Sequence, residues 1–450
     1  MTNEAEAPLQ SSDELLVPFT AHGGASGADR IGPEAEKFGI LEADLSPIRY
    51  EGGVLSVLRS LEKDHRWEAD YEKAGGPLIA LKRDGASITL EPGCQLELSG
   101  APALDVHAIA AELRQHVAEI APVSRELGVR WLSLGFHPFA KRDDLDWVPK
   151  ARYGVMRKYL PTRGGHALDM MLRTSTVQAN LDYSSAADAI RKVRIAQRIA
   201  PVTSAMFANS PWVEGKRADL LSMRCRVWLD VDPDRSGLLE RLWPETSTLG
   251  DYVDWALDVP MFLFKRAGEV VANTGQTFRS FMKDGFQGHR ATQADWQLHV
   301  NTLFPDVRLK RTIEIRSADA QGFGMTLALQ ALYAGLLYDA QSLDALDELT
   351  RAWTFAEVLG LRNQVYQTGM KTPFRGKTAG DAAEAIVAIA DAGLGRRARK
   401  DGSGKDERQF LAPLIALVAA RKCPADVLLE KVGDDPKNGL LAAAELIAPA

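Results

Sequence analysis

Residues 87–100 read SITLEPGCQLELSG, and this stretch decides how the chain folds. Ile88 and Leu90 alternate with Thr89 and Glu91, Pro92-Gly93 breaks the run, and Gln95 and Glu97 then alternate with Leu96 and Leu98. Alternation with a period of two predicts a strand with one apolar and one polar face. The polar face groups oxygen donors of the kind that hard cations such as magnesium take beside phosphates. A solvated antiparallel strand with an ordinary polar outer face would show the same short pattern.

The pattern returns three times. In IGPEAEKFG, residues 31–39, Glu34 and Glu36 stand two apart. In TVQANLDY, residues 176–183, Val177, Ala179 and Leu181 alternate with Gln178, Asn180 and Asp182. In RTIEIR, residues 311–316, Ile313 and Ile315 alternate with Glu314 and Arg316. Paired in one sheet, four such strands merge their polar faces into a concave wall of acids with Arg316 among them. Carboxylates crowded in this way repel one another and need cations to ionise together. The expected fold is α+β: a curved antiparallel sheet forming the wall of a metal–nucleotide site, packed with helices, followed by a mostly helical C-terminal part.

The chain has 450 residues, 46% hydrophobic and 25% charged, ample for a buried core in one domain or two. A formal charge of −6 offers no basic face for nucleic acid. No apolar run approaches the ~20 residues of a membrane-spanning helix. Cys94, Cys225 and Cys423 are far apart and odd in number, so neither a disulfide framework nor a zinc site is signalled. The N-terminus shows no basic-then-apolar signal pattern. A reducing cytoplasm is the expected location, with no nucleic-acid or membrane partner.

Residues 1–12 are polar and expected to fray, and 13–16 begin a short helix. The glycine-rich turn at 22–27 lacks a following helix with Lys-Ser or Lys-Thr, so it is no phosphate loop. Residues 54–63 read as an amphipathic helix, and 78–81 with 88–90 flank the hairpin signal Asp84-Gly85. Residues 105–127 are helical by period; 131–135 form a strand ending near His137, which either contacts a ligand or caps a turn. The basic stretch 151–159 is an exposed helix or the wall of an anion site, and 185–208 is a long helix. Residues 221–230 read as a strand before the turn bearing Asp232, Asp234 and Arg235, and 251–265 as a packed helix. Beyond Arg316, helical spacing covers 325–337, 344–359, 381–392, 407–420 and 440–447. The intervening LGRRARKDGSGKDER, residues 394–408, is expected to be a solvated, mobile loop, because Asp406 follows its Gly-Ser-Gly-Lys where a Walker motif needs Ser or Thr. The expected division is an extension at 1–29, a catalytic core at 30–320 and helices packed on it at 321–450.

IGPEAEKFG, SITLEPGCQLELSGAP, GFHP, RYGVMRKYLPT, LDMMLRTSTVQANLDY, FANSP, SMRCRVWLDVDPDRSG, LDVPM and RLKRTIEIRSAD follow one another in this order. The series resembles plant-type glutamate–cysteine ligase, a member of the glutamine-synthetase-like carboxylate–amine ligases, over roughly residues 30–340. The resemblance implies ligation of the γ-carboxylate of L-glutamate to the amine of L-cysteine, the first step of glutathione synthesis. It also implies two or three magnesium ions, ATP as co-substrate, a γ-glutamyl phosphate intermediate, and a monomer or homodimer.

By the same resemblance the metal-binding acids are Glu34, Glu36, Glu91, Glu97 and Glu314, with Gln95 and Gln178 beside them. Arg152 and Arg224 would hold the α-carboxylate of glutamate, with Trp228 in the same pocket. A guanidinium fork suits that task because it fixes a planar carboxylate through two parallel bonds. Arg316 and Glu314 are the expected catalytic pair, Arg316 either contacting the transferring phosphoryl group or forming a structural ion pair. Two departures stand beside functional positions: Cys94 replaces the second glycine of a Glu-Pro-Gly-Gly-Gln motif, and Ser175 replaces a cysteine. The cysteine pairs that switch the plant enzymes are missing, and residues 266–290 contain no cysteine. A ligase using another acceptor amine, or a non-catalytic nucleotide-binding descendant, remains an alternative.

Overall fold

The alternating stretches pair with one another. The computed structural model describes residues 7–20 and 29–443, and a nine-stranded sheet lies at the centre of those residues. Its strands are β1 (Ile31–Leu41), β2 (Glu68–Tyr71), β3 (Leu78–Arg83), β4 (Ala86–Leu90), β5 (Leu96–Ser99), β6 (Val129–Leu132), β7 (Thr176–Leu181), β8 (Val307–Leu309) and β9 (Ile313–Asp319). The order is β8-β9-β7-β1-β5-β4-β3-β2, with β6 on the C-terminal half of β1. Every pairing is antiparallel.

Register brings the polar positions into line. Glu314 faces Asn180 across β9 and β7, and Gln178 faces Glu34 across β7 and β1. Glu36 faces Glu97 across β1 and β5, and Glu97 faces Thr89 across β5 and β4. Directly opposed side chains stand about 5 Å apart on one face, so the acids form one diagonal row. The hairpin at Asp84-Gly85 has φ of 49° and 86°, the positive pair that a two-residue turn matched to strand twist requires.

The other face is apolar. Val177, Ala179, Leu181, Ile313 and Ile315 are fully buried there, under the helices Ala186–Met206 and Phe323–Leu337. The second of these is buried nearly all round, which is what an all-apolar helix requires. The helices Ala379–Arg397 and Arg408–Ala419 complete its surroundings. Asp105 starts the helix Val106–Leu127 by accepting from the Ala108 amide at 2.9 Å.

Several local expectations are corrected. Residues 221–230 are no strand: Ser222 caps a short helix, Met223–Val227, whose capping hydroxyl accepts from the Cys225 amide. The helix expected over 251–265 is Leu249–Asp258; it stops before Val259-Pro260, where the proline ring disfavours helical backbone at its predecessor. Strand Leu263–Arg266 then pairs with Glu269–Ala272. The helix over 344–359 is two, Ala340–Thr350 and Phe355–Arg362, the second restarted by the Thr354–Glu357 capping box. Within 394–408, residues 394–397 close the helix Ala379–Arg397, and Glu407 is fully buried, accepting from the Val106 amide at 2.9 Å and from Arg397; the segment is anchored at both ends, while 398–400 and 402–405 between them are exposed as expected. The glycine-rich turn at 22–27 lies outside the described residues.

Candidate active site

An open cleft of about 510 Å³ lies over the polar face. Glu34, Glu36, Glu91, Gln95, Glu97, Arg152, Gln178, Arg224, Trp228, Glu314 and Arg316 all line it. Residues separated by nearly 300 positions thus meet because four strands place them on one face and two short helices close the side.

The acids sit in a low-dielectric wall. Burial, then the neighbouring Glu34 and Glu91, push the Glu97 carboxyl up to about 8. Burial, then Glu91 and Glu97, raise Glu36 well above the usual carboxylate range, and burial with Glu314 raises Glu34. Each has a fixed hydrogen-bond donor. Thr89 Oγ1 donates to Glu97, the Thr176 amide donates to Glu36 at 3.0 Å, and Asn180 Nδ2 donates to Glu34 at 3.0 Å. A wall of this kind gains most from added positive charge.

Glu314 behaves in the opposite way. Burial alone would raise it, but Arg308, Lys310 and Arg316 together hold it well below the usual range. Arg308 grips both of its oxygens as a fork, Nη2 at 2.9 Å and Nε on the other oxygen. Lys310 and Arg316 each reach Oε1 at 3.3 Å. Arg316 therefore makes the ion pair, and it also donates to Gln178 Oε1 at 3.1 Å. Gln95 is engaged elsewhere: its Oε1 accepts from the Gly93 amide at 2.8 Å and its Nε2 donates to the Thr174 carbonyl at 2.8 Å. Its amide ties the turn after β4 to the helix Ala167–Arg173, which leaves it a poor ligand. A Cβ on Gly93 would stand 2.3 Å from the Leu172 carbonyl oxygen, so this turn admits only glycine there.

Arg224 and Trp228 come from the short helix Met223–Val227 and the residue after it. Arg224 Nη2 donates to the Arg316 carbonyl at 2.7 Å, and Trp228 Nε1 is buried with no hydrogen-bond partner among the described residues. Trp228 also lines the cleft, and a buried donor left without a partner calls for an acceptor. Arg152 opens the helix Ala151–Tyr159 and donates to Tyr153 Oη at 3.2 Å. Arg152, Tyr153 and Met156 of the basic stretch line the cleft, while Arg157 and Lys158 are exposed and do not. His137 is buried and caps a turn, its Nδ1 accepting from the amide of Ala140 at 2.9 Å.

Sequence reasoning missed four cleft residues. Arg308 is the middle residue of β8 and Lys310 follows it, both hidden within a basic run. Thr89 was visible as an alternation partner of Glu91, but only the register places it on Glu97. Lys150 donates to the Leu90 carbonyl at 2.7 Å, and burial with Arg152 brings its ammonium down to about 8 against the pull of Glu91 and Glu97.

Among the described residues, no three His, Cys, Asp or Glu side chains converge closely enough to hold a metal ion by themselves. The acids form an open row. Chemically, an acid row facing arginines and lysines suits a polyanionic ligand bridged to the protein by cations.

Fold and site define an antiparallel-sheet protein with an acid- and arginine-lined cleft for anionic substrates. The sequence pattern of Glutamate-cysteine ligase family 2 (GCS2) matches residues 30–443. The chain is 43% identical over 430 residues to the chloroplastic glutamate–cysteine ligase of Brassica juncea, covering 95% of this chain and 82% of that one. It is 42% identical over 430 residues to the Arabidopsis thaliana counterpart, covering 95% of this chain and 80% of that one. Among solved structures, the glutamate–cysteine ligase of Francisella tularensis in complex with AMP superposes with a TM-score of 0.59 at 12% identity, over 93% of this chain and 88% of that one. This chain belongs to glutamate–cysteine ligase family 2. The plant relatives are named chloroplastic, which overturns the cytoplasmic placement: unpaired cysteines fit any reducing compartment and single out none.

Proposed function

We propose that this protein joins the γ-carboxylate of L-glutamate to the amine of L-cysteine, with ATP converted to ADP and phosphate. The observation that carries the reading is the meeting, in one cleft, of the acid row with Arg152, Arg224, Trp228 and Arg316, in a chain of this family. Arg224 and Arg152 hold the substrate α-carboxylate, and the orphaned Trp228 N–H supplies one more donor. That grip directs the γ-carboxylate towards the acid row. An oxygen of the γ-carboxylate attacks the γ-phosphorus as the bond to ADP breaks, giving γ-glutamyl phosphate. The cysteine amine then attacks the acyl carbon, phosphate leaves, and the nitrogen loses a proton.

Glu34, Glu36, Glu91 and Glu97, with Gln178, are the residues that would hold Mg²⁺, two or three ions in all. The raised carboxyls of Glu36 and Glu97 fit that assignment, since a divalent cation relieves their mutual repulsion. When bound, such ions neutralise phosphate charge and favour attack at phosphorus. Glu314 joins them only if the Arg308 fork releases it; otherwise it holds Arg316 beside the phosphoryl group. Phosphoryl transfer asks the protein mainly for positioning and charge neutralisation, so no protein nucleophile is required.

Phosphate release measured with each component omitted in turn tests the proposal. Release should require ATP, glutamate, magnesium and an amine together, with cysteine the best acceptor. Another amine exceeding cysteine about tenfold in kcat/KM, about 1.4 kcal/mol of transition-state preference, would reassign the acceptor.

A further inference from the structure

The short helix that carries Arg224 is held by a carboxylate that plays no part in the chemistry above. Asp319 ends β9, the strand of Glu314 and Arg316, and is 1% exposed. Its Oδ2 accepts from the Asn209 amide at 2.8 Å and from Ser210 Oγ at 2.7 Å, and its Oδ1 accepts from Ser222 Oγ at 2.9 Å. Both hydroxyls act on the helix Met223–Val227. Ser222 Oγ caps it by accepting from the Cys225 amide at 3.0 Å, and Ser210 Oγ accepts from the Arg224 amide at 3.3 Å.

The surrounding backbone is shaped to this carboxylate. A Cβ on Gly135 would stand 2.2 Å from Asp319 Cγ, so the segment after β6 can pass only as glycine. Gly135 also donates to the Asn209 carbonyl at 3.1 Å, closing the arrangement. Burial pushes the Asp319 carboxyl above its usual range, against the charge of Arg224 and the three donors. A five-residue helix has no stability of its own, so its direction is set by such tertiary bonds. It is tied to β9 at two points, through Asp319 at its start and through Arg224 Nη2 on the Arg316 carbonyl.

We infer that Asp319 is a positioning residue for the glutamate site: through Ser210 and Ser222 it sets the helix that aims Arg224 and Trp228 into the cleft, and couples it to the strand bearing Glu314 and Arg316. The inference rests on the ligase reading in giving Arg224 the substrate carboxylate. Carboxylate forks tolerate little displacement, and a shift of about 1 Å costs up to a hundredfold in rate.

The test is Asp319→Asn, which keeps the shape but cannot accept from three donors at once. The KM for glutamate should rise about tenfold while the KM for ATP stays within about twofold, the split expected of lost substrate positioning. In an Arg224→Lys background the same change should add less than about twofold, because residues acting through one another are not additive. Amide hydrogen exchange should quicken over residues 222–228 and stay unchanged over 313–318. An unchanged glutamate KM, equal rises in both KM values, or full additivity with Arg224→Lys would overturn the inference. If the parent protein shows no glutamate-dependent phosphate release, the ligase reading falls. Hydrogen exchange then decides alone: faster exchange over 222–228 upholds the positioning role and unchanged exchange refutes it. Should Asp319→Asn fail to fold, Ser222→Ala removes one of the three bonds to Asp319 together with the cap on the Cys225 amide, and is held to the same outcomes.

Discussion

Replacing Glu97 by glutamine separates the acid row from the fold. Glutamine is near-isosteric and still accepts from Thr89 Oγ1, so the hydrogen bond to β4 survives while the capacity to ionise is lost. The Glu97 carboxyl titrates at about 8 in the folded protein against about 4.3 in an unfolded chain. A raised carboxyl binds its proton more tightly when folded, so its contribution favours folding below about pH 4 and is lost as pH rises through about 8. At pH 7 the unfolded state has released that proton and the folded state has largely kept it, which costs about 4 kcal/mol of stability. At pH 5 the cost is about 1 kcal/mol. For 450 residues, an unfolding entropy of about 2 cal/mol/K per residue converts about 1 kcal/mol into about 1 °C. In chelator-treated buffer the Glu97→Gln midpoint should therefore lie about 4 °C above the parent at pH 7 and about 1 °C above it at pH 5. Differential scanning fluorimetry across pH 5–8 reads this directly. Magnesium-ATP should then raise the parent midpoint more than that of the variant, since a ligand stabilises only the state that binds it. A variant less stable than the parent at every pH, or equal ligand-induced shifts in the two, would mean that Glu97 is only a strand residue.

Arg224→Lys keeps the charge but loses the fork, so the glutamate KM should rise about tenfold while the ATP KM changes less than about twofold; steady-state kinetics with each substrate varied would expose an unchanged glutamate KM and move Arg224 out of the site. Cys94 is buried with φ of 67°, a conformation that suits glycine. Cys94→Gly should leave the thermal midpoint within about 1 °C, strain relief offsetting lost packing, whereas Cys94→Val should lower it, because a β-branched side chain is worst placed there.

Much of this site was legible because strand periodicity is local. Glu34, Glu36, Glu97, Gln178 and Glu314 each sit in a run whose apolar partners must face the core, so their own faces follow. What the runs cannot state is which strand neighbours which; β7 lies between β9 and β1 through contacts distant in sequence. For that reason the Arg308 fork on Glu314 was invisible, and with it the difference between an acid free for cations and one already paired. Gln95 alternates with Leu96 as a ligand would, yet its amide closes a turn. Residues 221–230 read as a strand because Val227, Trp228 and Leu229 mimic one; Ser222 and Asp319 make it helical, and that pairing spans 97 positions. Lys37, on the apolar face of β1, is buried, and burial takes its ammonium down to about 7. No pattern marks such a residue in advance.

The central claim is that ATP activates the γ-carboxylate of glutamate before the amine arrives. Glutamate labelled with ¹⁸O in the γ-carboxylate tests it most directly, with inorganic phosphate analysed by mass spectrometry after turnover with cysteine. Transfer of phosphorus to that carboxylate predicts one labelled oxygen in each phosphate released, because the carboxylate oxygen leaves with phosphorus when the amine attacks. Unlabelled phosphate accompanying γ-glutamylcysteine would contradict the account, since ATP would then be cleaved without passing through the substrate that Arg152 and Arg224 are proposed to hold.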